Sequence, residues 1–101
     1  EFIAAFYGRI INVHPSLLPK YPGLRAIEQA IEAGDSQTGV TVHYVDEGVD
    51  TGDVIAQEMV GIAPGESAEA LAERIHAVEH RLLPEVVAQI AAARLRPVDS
   101  A

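Results

Sequence analysis

The 101-residue chain carries 15 acidic against 7 basic residues, a formal charge of -8 that repels nucleic-acid phosphates over the surface as a whole and disfavours a DNA or RNA partner. Apolar residues make up 49% of it without a tryptophan, so one small domain with an aliphatic core is expected and two independent domains are not. Absent cysteines exclude a disulfide framework and thiolate metal sites; with no apolar run of membrane-spanning length and no signal-peptide pattern, a soluble, cytoplasmic protein without a membrane partner is expected.

Residues 2–7, FIAAFY, are apolar without clear alternation and read as the end of a helix that starts upstream. The run RIINVH, 9–14, holds Ile10, Ile11 and Val13, too short for a helix and suited to a buried strand. Pro15 forces extended backbone on His14, and Pro19 and Pro22 keep the next segment irregular. Leu24, Ile27, Ala30 and Ile31 follow helical spacing up to a stop at Gly34. Residues 38–46 and 53–62 read as two strands joined by the acidic loop DEGVDTGD, too long for a two-residue hairpin turn. Ser67 caps a long helix whose stripe runs through Leu71, Ile75, Val78, Leu82, Val86 and Ile90, and Pro84 is expected to kink or divide it. The order strand, helix, strand, strand, helix predicts an α/β domain with a mixed β-sheet and flanking helices. Three strands are thin cover for so apolar a helix, which points to a fragment or an obligate partner.

Asn12 and His14 stand two apart on a strand, so they share a face at its C-terminal end, where open α/β sheets bind ligands. An amide that can donate to an oxyanion beside an imidazole that can move a proton suits chemistry at a carbonyl. Asp46, Glu47, Asp50 and Asp53, with Gly48 and Gly52 between them, offer a carboxylate to orient the histidine, and residue types alone do not choose which. The plainer reading is a structural histidine next to a solvated acidic turn. HAVEH, 76–80, fits the zinc pattern H-x-x-E-H, but only Glu85 and Asp99 follow as carboxylates for a third ligand, so a solvated or ligand-facing helix surface is the better reading. No glycine-rich phosphate loop or G-x-S-x-G elbow is present, and Ser16 suits a turn-capping hydroxyl.

NVHPSLLPKYPG resembles the signature segment of phosphoribosylglycinamide formyltransferases, GVTVHYVDEGVDTGDVIAQ is similar to their second active-site segment, and EHRLLP to their late helix. The likeness runs from Phe2 to about Leu95 in the family's order. It implies the C-terminal half of the formyltransferase fold: a single partial catalytic domain over 1–101, without the N-terminal nucleotide-binding half. It also implies transfer of a formyl group from 10-formyltetrahydrofolate, as co-substrate, to the amine of glycinamide ribonucleotide in purine biosynthesis, with no metal. The family's catalytic asparagine, histidine and aspartate fall on Asn12, His14 and Asp50, which singles out one loop carboxylate. His43 and the loop residues Asp46, Glu47 and Gly48 match positions lining the cleft, and Glu79 matches a glutamate that contacts the ribose.

This sequence departs from the family in having His76 for a common glutamine, Asp53 for a common proline, and half the usual length. Methionyl-tRNA formyltransferase and formyltetrahydrofolate hydrolase share the same residue logic, but HPSLLPKYPG and the acidic charge stand against both or the first of them. A reading of another class is an inactive fragment that self-associates through an exposed sheet edge; the alternative is pairing with a missing N-terminal half.

Overall fold

The computed structural model describes residues 3–6, 9–46, 48 and 50–95, the side chains of 3–6, 9, 94 and 95 excepted. Four strands, β1 (Ile3–Phe6), β2 (Arg9–His14), β3 (Gln37–Tyr44) and β4 (Val54–Gly61), form one sheet in the order β1-β2-β3-β4. Helix α1 (Ala26–Glu32) links β2 to β3, and α2 (Ala68–Leu95) follows β4. The α/β class with flanking helices is as expected.

Two expectations need correction. The apolar start is a strand and not a helix end: Ile3 lies opposite Asn12 and Phe6 opposite Arg9, so hairpin pairing decides a run too short for periodicity to decide. Residues 2 and 7 of that expected helix lie outside the described residues. The sheet is antiparallel at every described pairing rather than mixed. The connection 15–36 is long enough for a crossover, but its first part folds over the sheet and is tied to Thr41 of β3, and β3 returns antiparallel beside β2. Helix α2 is not divided at Pro84, one of the two outcomes expected of that residue. The missing N–H costs one backbone bond, while Leu82 and Val86 on either side are buried and hold both stretches against the same core.

One sheet face carries Ile11, Val13, Val40, Val42 and Val60, which pack with Leu71, Ile75, Leu82 and Val86 of α2. The α2 positions are four or seven apart and so share one helix face. Ala70 N–H donates to Ser67 Oγ at 3.1 Å, the expected serine cap. The opposite sheet face is polar and yet also covered. Six consecutive β3 residues, Thr38 to His43, are buried because the 15–24 segment lies over their second face. Gly39 makes room for this: a Cβ there would fall 2.5 Å from Leu17 Cδ2 and overlap the Glu58 carbonyl.

Candidate active site

The antiparallel register sets Asn12 directly opposite His43, and His14 opposite Thr41. Period-two alternation therefore places these four polar side chains together on the face away from α2. Asn12, His14 and His43 are 5%, 0% and 2% exposed. His43 Nδ1 lies 3.0 Å from the Tyr44 carbonyl, which can only accept, so this nitrogen carries the proton. His43 Nε2 is then free to accept from Asn12 Nδ2–H at 3.4 Å. Asn12 Oδ1, which can only accept, is buried without a hydrogen-bond partner among the described residues.

Asp50 enters from the acidic loop and bridges both imidazoles. Its Oδ2 lies 3.3 Å from His14 Nδ1 and its Oδ1 3.5 Å from His43 Nε2. The first contact is electrostatic, because the direction from His14 Nδ1 does not make a hydrogen bond. The Gly23 N–H donates to Asp50 Oδ2 at 2.6 Å, tying the acidic loop to the proline segment. Asp50 adopts φ 54°, a left-handed conformation that aspartate tolerates better than most residues.

The proline segment is pinned by buried polar groups. Thr41 Oγ1 donates to the Ser16 carbonyl at 2.7 Å and accepts from Leu18 N–H at 3.1 Å and Gln57 Nε2 at 2.9 Å. Ser16 Oγ donates to the Lys20 carbonyl at 2.5 Å, the turn-closing role expected of it. The Tyr21 carbonyl accepts from His14 Nε2–H at 2.7 Å. Residue types do not announce Tyr21 and Gly23, because both meet His14 and Asp50 through main-chain atoms; three prolines and a glycine in nine residues are their one sequence signal.

The remaining expected site residues lie around this centre. Asp46 accepts from Thr51 Oγ1 at 2.7 Å and Gly48 N–H at 2.8 Å. The Thr51 hydroxyl first, and then the Gly48 amide, hold its carboxyl below the usual carboxylate range. Asp46 thus shapes the loop, and the nearby His43 adds a smaller lowering of its carboxyl. Glu47 lies outside the described residues. Asp53 serves through its carbonyl, which accepts the Tyr44 N–H at 2.9 Å. Glu79 is buried on α2, whereas His76 is 62% exposed with its Nε2 3.8 Å from Glu79 Oε1. Among the described residues no group of three or more His, Cys, Asp or Glu gathers as a metal site.

Two open cavities flank the cluster. One of about 290 Å³ is lined by Leu18, Pro19, Pro22, Asp50, Gly52 and Val54. The other, of about 200 Å³, holds Pro15, Gly23, Arg25, His76 and Glu79. A larger hollow of about 430 Å³ near Asp35 and Glu66 is remote from the imidazoles and carries none of this chemistry.

The formyl transferase family model matches residues 1–87, most of the chain and all of the cluster. The chain belongs to the formyl transferase family. This formyl transferase chain is 49% identical over 88 residues to the phosphoribosylglycinamide formyltransferase of Bacillus subtilis, covering 87% of the chain and 45% of that relative. It is 54% identical over 97 residues to the trifunctional purine biosynthetic protein adenosine-3 of Drosophila pseudoobscura pseudoobscura, covering 96% of the chain and 7% of that protein. Its fold matches the crystal structure of glycinamide ribonucleotide transformylase 1 from Geobacillus kaustophilus with a TM-score of 0.75 and 65% identity, over 79% of the chain and 43% of that structure. The chain thus spans less than half the length of each of these relatives. No helix among the described residues is long and apolar enough to cross a membrane.

Proposed function

We propose that the chain forms the catalytic wall of a phosphoribosylglycinamide formyltransferase, moving a formyl group from 10-formyltetrahydrofolate to the primary amine of glycinamide ribonucleotide. The observation that carries this reading is the meeting of Asn12, His14, His43 and Asp50 in one buried cluster, from two strands and a loop far apart in sequence. The cluster fits a formyl donor: the Asn12 NH2 carries a second N–H besides the one given to His43, beside imidazole and carboxylate, under an apolar rim of Leu18, Pro19, Pro22 and Val54.

Addition of the amine to the formyl carbon drives an electron pair onto the formyl oxygen. Asn12 donates an amide N–H to that oxygen as it gains charge. His14 is tied at Nε2, so it works through Nδ1: a proton taken up there gives the ring a positive charge beside the reacting carbonyl, balanced by the Asp50 carboxylate. Asp50 orients that imidazole and relays the proton that the amine sheds, directly or through a water, to the folate nitrogen, whose bond to the formyl carbon breaks as the oxyanion's electron pair returns to the carbonyl. His43 holds the Asn12 amide, and Glu79, facing the adjacent cavity, receives the ribose hydroxyls of the nucleotide. Asp46, Glu47 and Gly48 shape the folate side.

The same reading places the chain in purine biosynthesis, the process named for its trifunctional relative, and in the cytoplasm. It also assigns the rest of the cleft to an N-terminal half, a reading supported by the chain's spanning only 45% of the Bacillus subtilis relative. The test joins the chain to that half and measures formyl transfer. Turnover that disappears in His14→Ala is expected; turnover that survives it removes His14 from the mechanism, and no turnover from the intact join refutes the assignment.

A further inference from the structure

We propose that Tyr21 is a positioning residue for His14: its main-chain carbonyl keeps a proton on His14 Nε2, and its hydroxyl, bonded to Asp35, keeps that carbonyl in place. The kinetic part of this inference rests on the formyl-transfer reading; the tautomer part does not.

The carbonyl of Tyr21 lies 2.7 Å from His14 Nε2. A carbonyl oxygen only accepts, so the Nδ1–H tautomer would set two lone pairs against each other at that distance. His14 is thereby limited to states that keep Nε2–H, and Nδ1, facing Asp50, becomes the one nitrogen that exchanges a proton. Without the carbonyl, both neutral tautomers are accessible, and part of the population presents a protonated Nδ1 while Nε2 points its lone pair into the proline segment.

Such a carbonyl needs a fixed peptide, and Tyr21 has φ 52°, a left-handed conformation unfavourable for a bulky side chain. Its side chain supplies the restraint. Tyr21 Oη–H donates to Asp35 Oδ2 at 2.8 Å, and Lys20 Nζ stands 3.6 Å from the same oxygen. Asp35 is itself fixed at the end of α1, where its N–H donates to the Ala30 carbonyl at 3.1 Å. The Asp35 bond also raises the tyrosine hydroxyl above its usual titration range, so the donor proton stays on it. The end of α1, which holds no group of the cluster, is in this way connected to the ring of His14.

The test uses ¹⁵N-imidazole NMR and steady-state kinetics on the protein joined to its N-terminal half. Wild type is expected to show His14 with Nε2 protonated. Tyr21→Phe and Asp35→Ala are expected to mix the His14 tautomers and to lower kcat roughly three- to tenfold, the worth of one hydrogen bond, with KM for both substrates unchanged. Asp35→Asn keeps an acceptor oxygen and is expected to restore both readouts. Should Tyr21→Phe lower only thermal stability, leaving tautomer and kcat as in wild type, the tether is structural and the proposal falls. Asp35→Asn as damaging as Asp35→Ala also overturns it. If His14→Ala retains full turnover, the formyl-transfer role fails separately, while the tautomer ratio still decides the tether.

Discussion

Replacing Asp50 by asparagine changes charge at nearly constant shape. The carboxylate stands 3.3 Å from His14 Nδ1 with its side chain 8% exposed. With an effective dielectric constant of ~20, unit charges at that separation attract by about 5 kcal/mol when His14 carries a second proton. Placed proton-transfer groups contribute about 10²- to 10⁴-fold to rate, or roughly 3–5 kcal/mol of barrier, a range that meets the Coulomb figure. Asp50→Asn is therefore expected to lower kcat by about 10²- to 10⁴-fold. Stability should fall far less, by ~1–2 kcal/mol, since the amide oxygen still accepts the Gly23 N–H in place of a charged acceptor. The assay is steady-state formyl transfer by the chain joined to its N-terminal half, with thermal melts in parallel. A kcat within threefold of wild type would show that the charge facing His14 has no part in the reaction, and the electrostatic reasoning would be wrong.

A Cβ on Gly52 would overlap the Tyr44 carbonyl oxygen, so Gly52→Ala must displace the loop that presents Asp50; a fall in kcat of about 10²-fold is expected from a shift near 1 Å, and unchanged kinetics would count against the close approach. Asp46 is held below the ordinary carboxylate range, so its contribution to stability is present above the unfolded pKa and is lost as pH falls through the folded pKa. Thr51→Val should move its midpoint upward in a ¹³C-carboxyl titration; an unmoved midpoint would remove the hydroxyl as the leading cause. Ile75 is fully buried in the α2 stripe, and Ile75→Ala should cost ~2–5 kcal/mol, read as a drop in Tm of roughly 10 °C or more; a shift of a degree or two would place the core elsewhere.

Much of the site was legible because it follows from strand periodicity. Asn12 and His14 are two apart in a β-branched run, so they share a face wherever the strand lies. The α2 stripe likewise announces its buried face, and Ser67 its start. The prolines after His14 announced an irregular segment but not its course across β3, which depends on Thr41, Gln57 and the space at Gly39. The start of the chain misled because a four-residue apolar strand has no period of its own, and Pro84 does not divide α2 because local propensity for a break is outweighed by burial on both sides.

Sequence by itself determined what is local: element type over long periodic runs, the shared face of Asn12 and His14, and, through its motifs, the formyl transferase family. Pairing partners were decided only in three dimensions. Which residue opposes Asn12 depends on the β2–β3 register, which carboxylate reaches the imidazoles depends on a loop held by the Gly23 amide, and the proton on His14 Nε2 depends on a carbonyl whose direction comes from a left-handed Tyr21. Side-chain chemistry can be read from residue types. Main-chain groups are the same in every residue but proline, so what they contribute is set by backbone angles and packing alone.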